Sequence, residues 1–150
     1  NMMHKCHNNI SEIIVSIDAA TEETYDKVRV GGNWETLMKN IKMLSELRLQ
    51  GKIKGTFTLD FVVQKQNYAE MPLAVELANS LDGIDVMKFS LVTDWGTWKR
   101  EAFEDHAIWM DNNPLHRDFL RVLNDDIFSG NKVDLGTAYH YYEIARGKND

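Results

Sequence analysis

Three short runs of β-forming residues, each followed by a helix-like stretch, constrain this chain more than anything else in it. Residues 12–17, EIIVSI, form a nearly continuous apolar run of the kind that suits a strand in a parallel sheet. Residues 56–64, TFTLDFVVQ, are β-branched and aromatic, with Phe57, Leu59, Phe61 and Val63 on one face. Residues 84–92, IDVMKFSLV, make a third run after the Asp82-Gly83 turn. The stretches between them have helical spacing. Thr21 is a hydroxyl N-cap followed by Glu22 and Glu23, and Gly31-Gly32 marks the end of that helix. Asn33 caps a second helix with Trp34, Leu37, Met38, Ile41, Leu44 and Leu47 or Arg48 at three- and four-residue intervals, and Gly51 stops it. Asn67 starts a third, with Met71, Leu73, Ala74, Leu77, Ala78 and Leu81 as its apolar face and Pro72 early enough to be tolerated. Strand, helix, strand, helix, strand implies right-handed βαβ units and a parallel sheet.

Beyond Val92 the pattern changes. TDWGTWKR at 93–100 is turn-like. Helices are expected over 101–111 and roughly 115–124, the latter with Phe119, Leu120 and Leu123 inward. NKVDL at 131–135 reads as a short strand, 137–146 as a helix, and the tail from Lys148 as mobile.

The bulk numbers narrow the function classes. With 150 residues and 43% hydrophobic content the chain suits one domain with a real core. Its net charge of -6 and the lack of a Lys/Arg-rich face argue against nucleic acid as a partner. The apolar runs are strand-sized, so no membrane span is expected. The N-terminus lacks an apolar signal region, and a single cysteine excludes an internal disulfide and fits a reducing, cytoplasmic setting. The abrupt start, almost directly into a strand, suggests a piece of something longer.

Ligands of α/β proteins sit at the C-terminal ends of parallel strands. Three such ends exist here: Ser16-Ile17-Asp18, Val63 to Asn67, and Ser90 to Asp94. Each is polar after an apolar run, which ordinary caps and turns also require. His4-Lys5-Cys6-His7 has metal-ligand side chains but no complementary pair at zinc-site spacing, and reads as a polar arm. His106, His116 and His140 are scattered, Cys6 has no partner that would activate it, and no phosphate loop is present. Trp95, Trp98 and Trp109 suit packing. From residues alone this is a parallel α/β unit with polar strand ends and no catalytic constellation.

The stretch SIDAATEETYDKVRVGGNWETLMKNIKML, from Ser16 onward, resembles the fourth strand and following helices of radical S-adenosylmethionine enzymes, in the branch with SPASM-type C-terminal regions. FVVQKQNYAEMPLAVELANSL is similar to that branch's fifth strand and helix, and VMKFSLVTDWGTW to its sixth strand and exit loop. NNPLHRDFLRVLNDDIF and KVDLG are similar to the segment after the barrel, so the likeness runs in order over most of residues 9–136. The resemblance implies a truncated (β/α) partial TIM-type barrel with parallel strands near 12–17, 56–64 and 84–92. Residues 1–92 would be its C-terminal half and 93–150 a mainly helical extension of the same compact unit.

It also implies roles. Ser16 would meet the ribose or nearby polar atoms of S-adenosylmethionine, and Arg29 its methionyl carboxylate. Leu91 and Val92 would lie against the adenine, and Gln64 and Asn67 would be polar lining. Asp18 would be a turn or cap residue. The plain alternative for Arg29 is a surface ion pair with Glu22 or Asp26. One departure governs the chemistry. The family's three-cysteine motif, C-x-x-x-C-x-x-C, is missing, and Cys6 alone cannot build a 4Fe-4S cluster. S-adenosylmethionine and the cluster are therefore expected as cofactors of a full-length parent, with none in this fragment, which is itself expected to be inactive. The alternative is a non-catalytic α/β module that binds a ligand or partner. An uncovered edge on the 12–17 strand, whose barrel neighbour would lie upstream, implies self-association.

Overall fold

The computed structural model describes residues 9–147. The His4–His7 arm and the tail from Lys148 lie outside the described residues. Strands β1 (Glu12–Ser16), β2 (Thr56–Val63) and β3 (Val86–Leu91) fall within the three expected runs. A fourth, β4 (Val133–Asp134), comes from the segment expected to be a short strand. All pair in parallel, in the sequential order β1-β2-β3-β4, with Ser16 opposite Asp60, Asp60 opposite Lys88 and Lys88 opposite Asp134.

Sequential order decides where the helices lie. Crossovers of one hand that always step to the next strand in the same direction stay on one face of the sheet. Burial alternates accordingly. Phe57, Leu59, Phe61 and Val63 of β2 and Met87 and Phe89 of β3 are sealed in the core, beside Ile41, Ala74, Val75 and Phe119 of the helices. On the other face Ile14 is 56% exposed and Ser16 is exposed, while Asp60, Val62, Lys88 and Ser90 are half-buried. Thr58, in the middle of β2, is the buried member of that face.

Helices α1 (Glu22–Val28) and α2 (Trp34–Leu49) start where their caps require. Thr21 Oγ1 accepts from the Thr24 N–H, and Asn33 Oδ1 from that of Thr36. Close approach of α2 to the turn before β3 requires Gly83, where a Cβ would fall 2.6 Å from Ser45 Cα. Arg48 fastens the lower edge of the sheet, donating to the Gly55 and Gly83 carbonyls and pairing with Asp85 at 2.6 Å.

Helix α3 departs from expectation. It runs Met71–Asn79 after a 3-10 turn at Tyr68–Glu70, and Asn67 does not cap it. The extra turn rotates its face, so Val75 is buried while Leu73 is 46% exposed. Helix α4 (Arg100–His106) stops short of the expected 111. The buried Asn113 donates to the Glu104 carbonyl, bending residues 107–115 back across the helix end. Helices α5 (His116–Leu123) and α6 (Tyr139–Ala145) pack onto the same core as β1–β3, through Phe119, Leu123 and Tyr142. Trp109 joins that packing beside Phe103 and Tyr141, whereas Trp95 stands 86% exposed. No helix among the described residues is long and apolar enough to cross a membrane.

Candidate functional site

The ends of β1 and β2 are joined by one polar network. β1 gives way to Ile17 and then to Asp18, whose backbone lies in the left-handed region at φ 50. Aspartate tolerates that region better than most residues, but it still needs to be held there. Two contacts hold it. Asp18 Oδ1 accepts from the Val62 N–H at 2.7 Å, and the Asp18 carbonyl accepts from Asn67 Nδ2 at 2.9 Å. The other carboxylate oxygen, Oδ2, pairs with Arg29 Nη2 at 2.6 Å. Burial pushes the Asp18 carboxyl above its usual range, against the pull of the Val62 N–H and of Arg29.

Arg29 follows the last residue of α1, with φ -119 and ψ 63. Its N–H donates to the Tyr25 carbonyl and its own carbonyl accepts from Gly32, so its backbone is pinned on both sides. Gly32 is required there, because a Cβ would meet the Tyr25 ring at 2.6 Å. The plain alternative, a pair with Glu22 or Asp26, does not form. Glu23 pairs instead with Lys27, at 2.7 Å, and Arg29 reaches across to the strand end. Its Nε is buried without a hydrogen-bond partner among the described residues.

Ser16 is exposed, on the face away from the helices, with no side-chain hydrogen bond among the described residues. Gln64 is half-buried one residue past the end of β2. Val92 is 7% exposed, and its carbonyl accepts from the Trp109 indole at 3.2 Å.

Two further residues expected near a ligand, Asn67 and Leu91, are buried in the fold. Asn67 is wholly buried and satisfied by backbone alone: Nδ2 donates to the carbonyls of Asp18 and Val62, and Oδ1 accepts from the Gln64 N–H. It clamps the two strand ends together. Leu91 points into the core beneath the helices, because its parity along β3 is that of Met87 and Phe89.

Glu70 gave no sign of its role in the sequence. Its carboxylate accepts from the N–H groups of Ala20 and Thr21 and from the hydroxyls of Thr21 and Thr24, at 2.6–3.2 Å. A carboxylate at a helix N-terminus satisfies orphan N–H groups and complements the dipole. This acceptor comes from the next βα connection, 49 residues from Thr21, which local capping rules do not reach.

Among the described residues no group of three His, Cys, Asp or Glu side chains is arranged to hold a metal ion. Comparison of the chain with protein-family profiles, curated proteins and solved structures found no match in any of the three.

Proposed function

We propose that residues 1–92 form the closing half of a radical S-adenosylmethionine (β/α) barrel of the SPASM-like branch, with 93–150 as its extension. The complete protein would be an iron–sulfur oxidoreductase, and this part of it would bind cofactor without being catalytic on its own. The observation that supports this best is the one-sided sheet: parallel strands in sequential order, with the core and helices on one face. A barrel wall has that form, whereas a doubly wound sheet reverses its strand order and carries helices on both faces.

With S-adenosylmethionine and a 4Fe-4S cluster bound, the family's chemistry is reductive cleavage to a 5′-deoxyadenosyl radical. The single cysteine of this chain does not fit a cluster, which takes three thiolates in this family, so no step is routed through one. The residues present do suit the small molecule. Ser16 has a hydroxyl unengaged among the described residues, for a ribose oxygen. Arg29 has one Nη in contact with Asp18 and another free, among the described residues, for a carboxylate. Val92 and Gln64 border the same end of the sheet. A reducing, cytoplasmic setting goes with this reading, as does pairing of the β1 edge with a further strand or a second copy.

A second reading, a non-catalytic module for a ligand or partner, is favoured by one observation: Arg29 already has a carboxylate beside it, in Asp18. The test is anaerobic reconstitution of the complete encoded protein and of this 150-residue chain. The expected result is charge-transfer absorbance and 5′-deoxyadenosine on reduction from the complete protein, and neither from the chain alone. Arg29→Ala should weaken S-adenosylmethionine binding to the complete protein about ten- to hundredfold, the loss of a hydrogen bond to a charged group, and Ser16→Ala less. A complete protein that binds no cluster and makes no 5′-deoxyadenosine leaves the second reading standing.

A further inference from the structure

We propose that Asp18 is the positioning residue for Arg29: it fixes one Nη of the guanidinium so that the other faces a ligand carboxylate at the C-terminal end of the sheet. The proposal rests on the reading that Arg29 meets such a carboxylate, and gives Asp18 a part beyond that of a turn residue.

The direction of control comes from how each partner is held. Asp18 cannot follow the arginine. Its carbonyl is tied to Asn67, its Oδ1 to the Val62 N–H, and its side chain is 10% exposed. The Arg29 side chain is 38% exposed and makes no other hydrogen bond or ion pair among the described residues. The arginine therefore takes its orientation from the aspartate. A guanidinium is a flat fork that binds a carboxylate well only when correctly turned. Left without Oδ2, the long side chain would regain its rotamers, and ordering it would fall on the ligand. Neutralising Asp18 would at the same time remove a competing negative charge, an effect of opposite sign. A ligand carboxylate would meet the exposed part of Arg29, whose side chain is 38% exposed, and solvent there screens its repulsion from Asp18, while the orientation is set by direct contact and is not screened.

The experiment uses Asp18→Asn, which keeps the left-handed backbone accessible and can still accept from Val62, but turns its amide donors toward the guanidinium. Binding of S-adenosylmethionine and of its decarboxylated analogue is measured by calorimetry on the complete encoded protein, for wild type, D18N, R29Q and the double variant. The expected result is about a tenfold loss for S-adenosylmethionine in D18N, no change for the analogue, and a double variant no weaker than R29Q alone. Unchanged or tighter S-adenosylmethionine binding in D18N overturns the proposal. A wild type that does not prefer S-adenosylmethionine over the analogue overturns the carboxylate role of Arg29, and the positioning role with it. A preference lost in R29Q but kept in D18N overturns the positioning role alone. A readout that needs no ligand is the nitrogen-15 spectrum of the Arg29 guanidinium in the 150-residue chain. Two resolved Nη signals are expected in wild type and one averaged signal in D18N. An averaged signal in wild type refutes the fixed orientation.

Discussion

Replacing Asn67 should damage the whole fold, not just a binding surface. Its side chain is fully buried and bridges the ends of β1 and β2 through three hydrogen bonds to backbone. Asn67→Ala removes all three and leaves two carbonyls and one N–H without their partner. A typical intramolecular hydrogen bond contributes about 1 kcal/mol net, and an orphaned buried group costs about 1–3 kcal/mol. Partial relaxation and water entry lower the sum, so a loss of about 3–5 kcal/mol is expected. Total stabilities of such domains are about 5–15 kcal/mol. With a urea slope of about 2 kcal/mol/M, the midpoint should fall by about 1.5–2.5 M. Asn67→Asp is the sharper probe, because size and the Oδ1 acceptor are kept. It sets a carboxylate oxygen against the Asp18 and Val62 carbonyls where an amide donated. Its buried carboxyl should titrate above an ordinary aspartate. A raised folded-state pKa contributes stability that is present at low pH and lost as pH rises through it, so the N67D deficit should shrink on acidification. Urea unfolding followed by tryptophan fluorescence, at about pH 7 and about pH 4.5, measures both effects. An N67A midpoint within about 0.3 M of wild type would refute the clamp and return Asn67 to the role of a dispensable lining residue.

Glu70→Ala should cost about 2–4 kcal/mol, because four donors at the start of α1 lose one charged acceptor, with Glu70→Gln recovering part of it; urea unfolding and hydrogen exchange of the Ala20 and Thr21 amides report this. Tyr68, held up to about 12 by burial and by the bond it donates to Asp118 at 2.7 Å, should ionise above an ordinary tyrosine. The neutral hydroxyl is the form the fold favours, so its contribution is complete below about pH 10 and is lost as pH rises through about 12; absorbance titration at tyrosinate wavelengths should lose its last step in Tyr68→Phe. If β1 pairs with a second copy, Ile14→Lys, a charge beside that edge on the exposed face, should shift concentrated protein toward monomer in light scattering. An unchanged mass in that variant would count against pairing there.

The strands and the starts of α1 and α2 were legible because they are local. Hydrophobic runs of strand length, the Thr21 and Asn33 caps, and the alternation of Phe57, Leu59, Phe61 and Val63 act over a few residues and need no knowledge of the groups that lie opposite. The parallel sheet was legible too, since short βαβ crossovers leave little choice of hand or direction. What sequence could not settle was the use made of polar residues at the strand ends. Asn67 reads equally well as a cap, a lining residue or a clamp, and only the approach of Asp18 and Val62, brought together by the fold, makes it a clamp. Arg29 has acids at helical spacing, yet it pairs with Asp18 across the strand end because α1 stops just before it and its backbone is pinned by Gly32. Glu70 gives no local sign that it caps a helix from the preceding connection. Sequence thus determined where strands and helices form, through short-range sterics and apolar periodicity. Tertiary structure alone decided which charge meets which donor, because a hydrogen bond depends on atoms within about 3 Å that the chain brings together only after it folds.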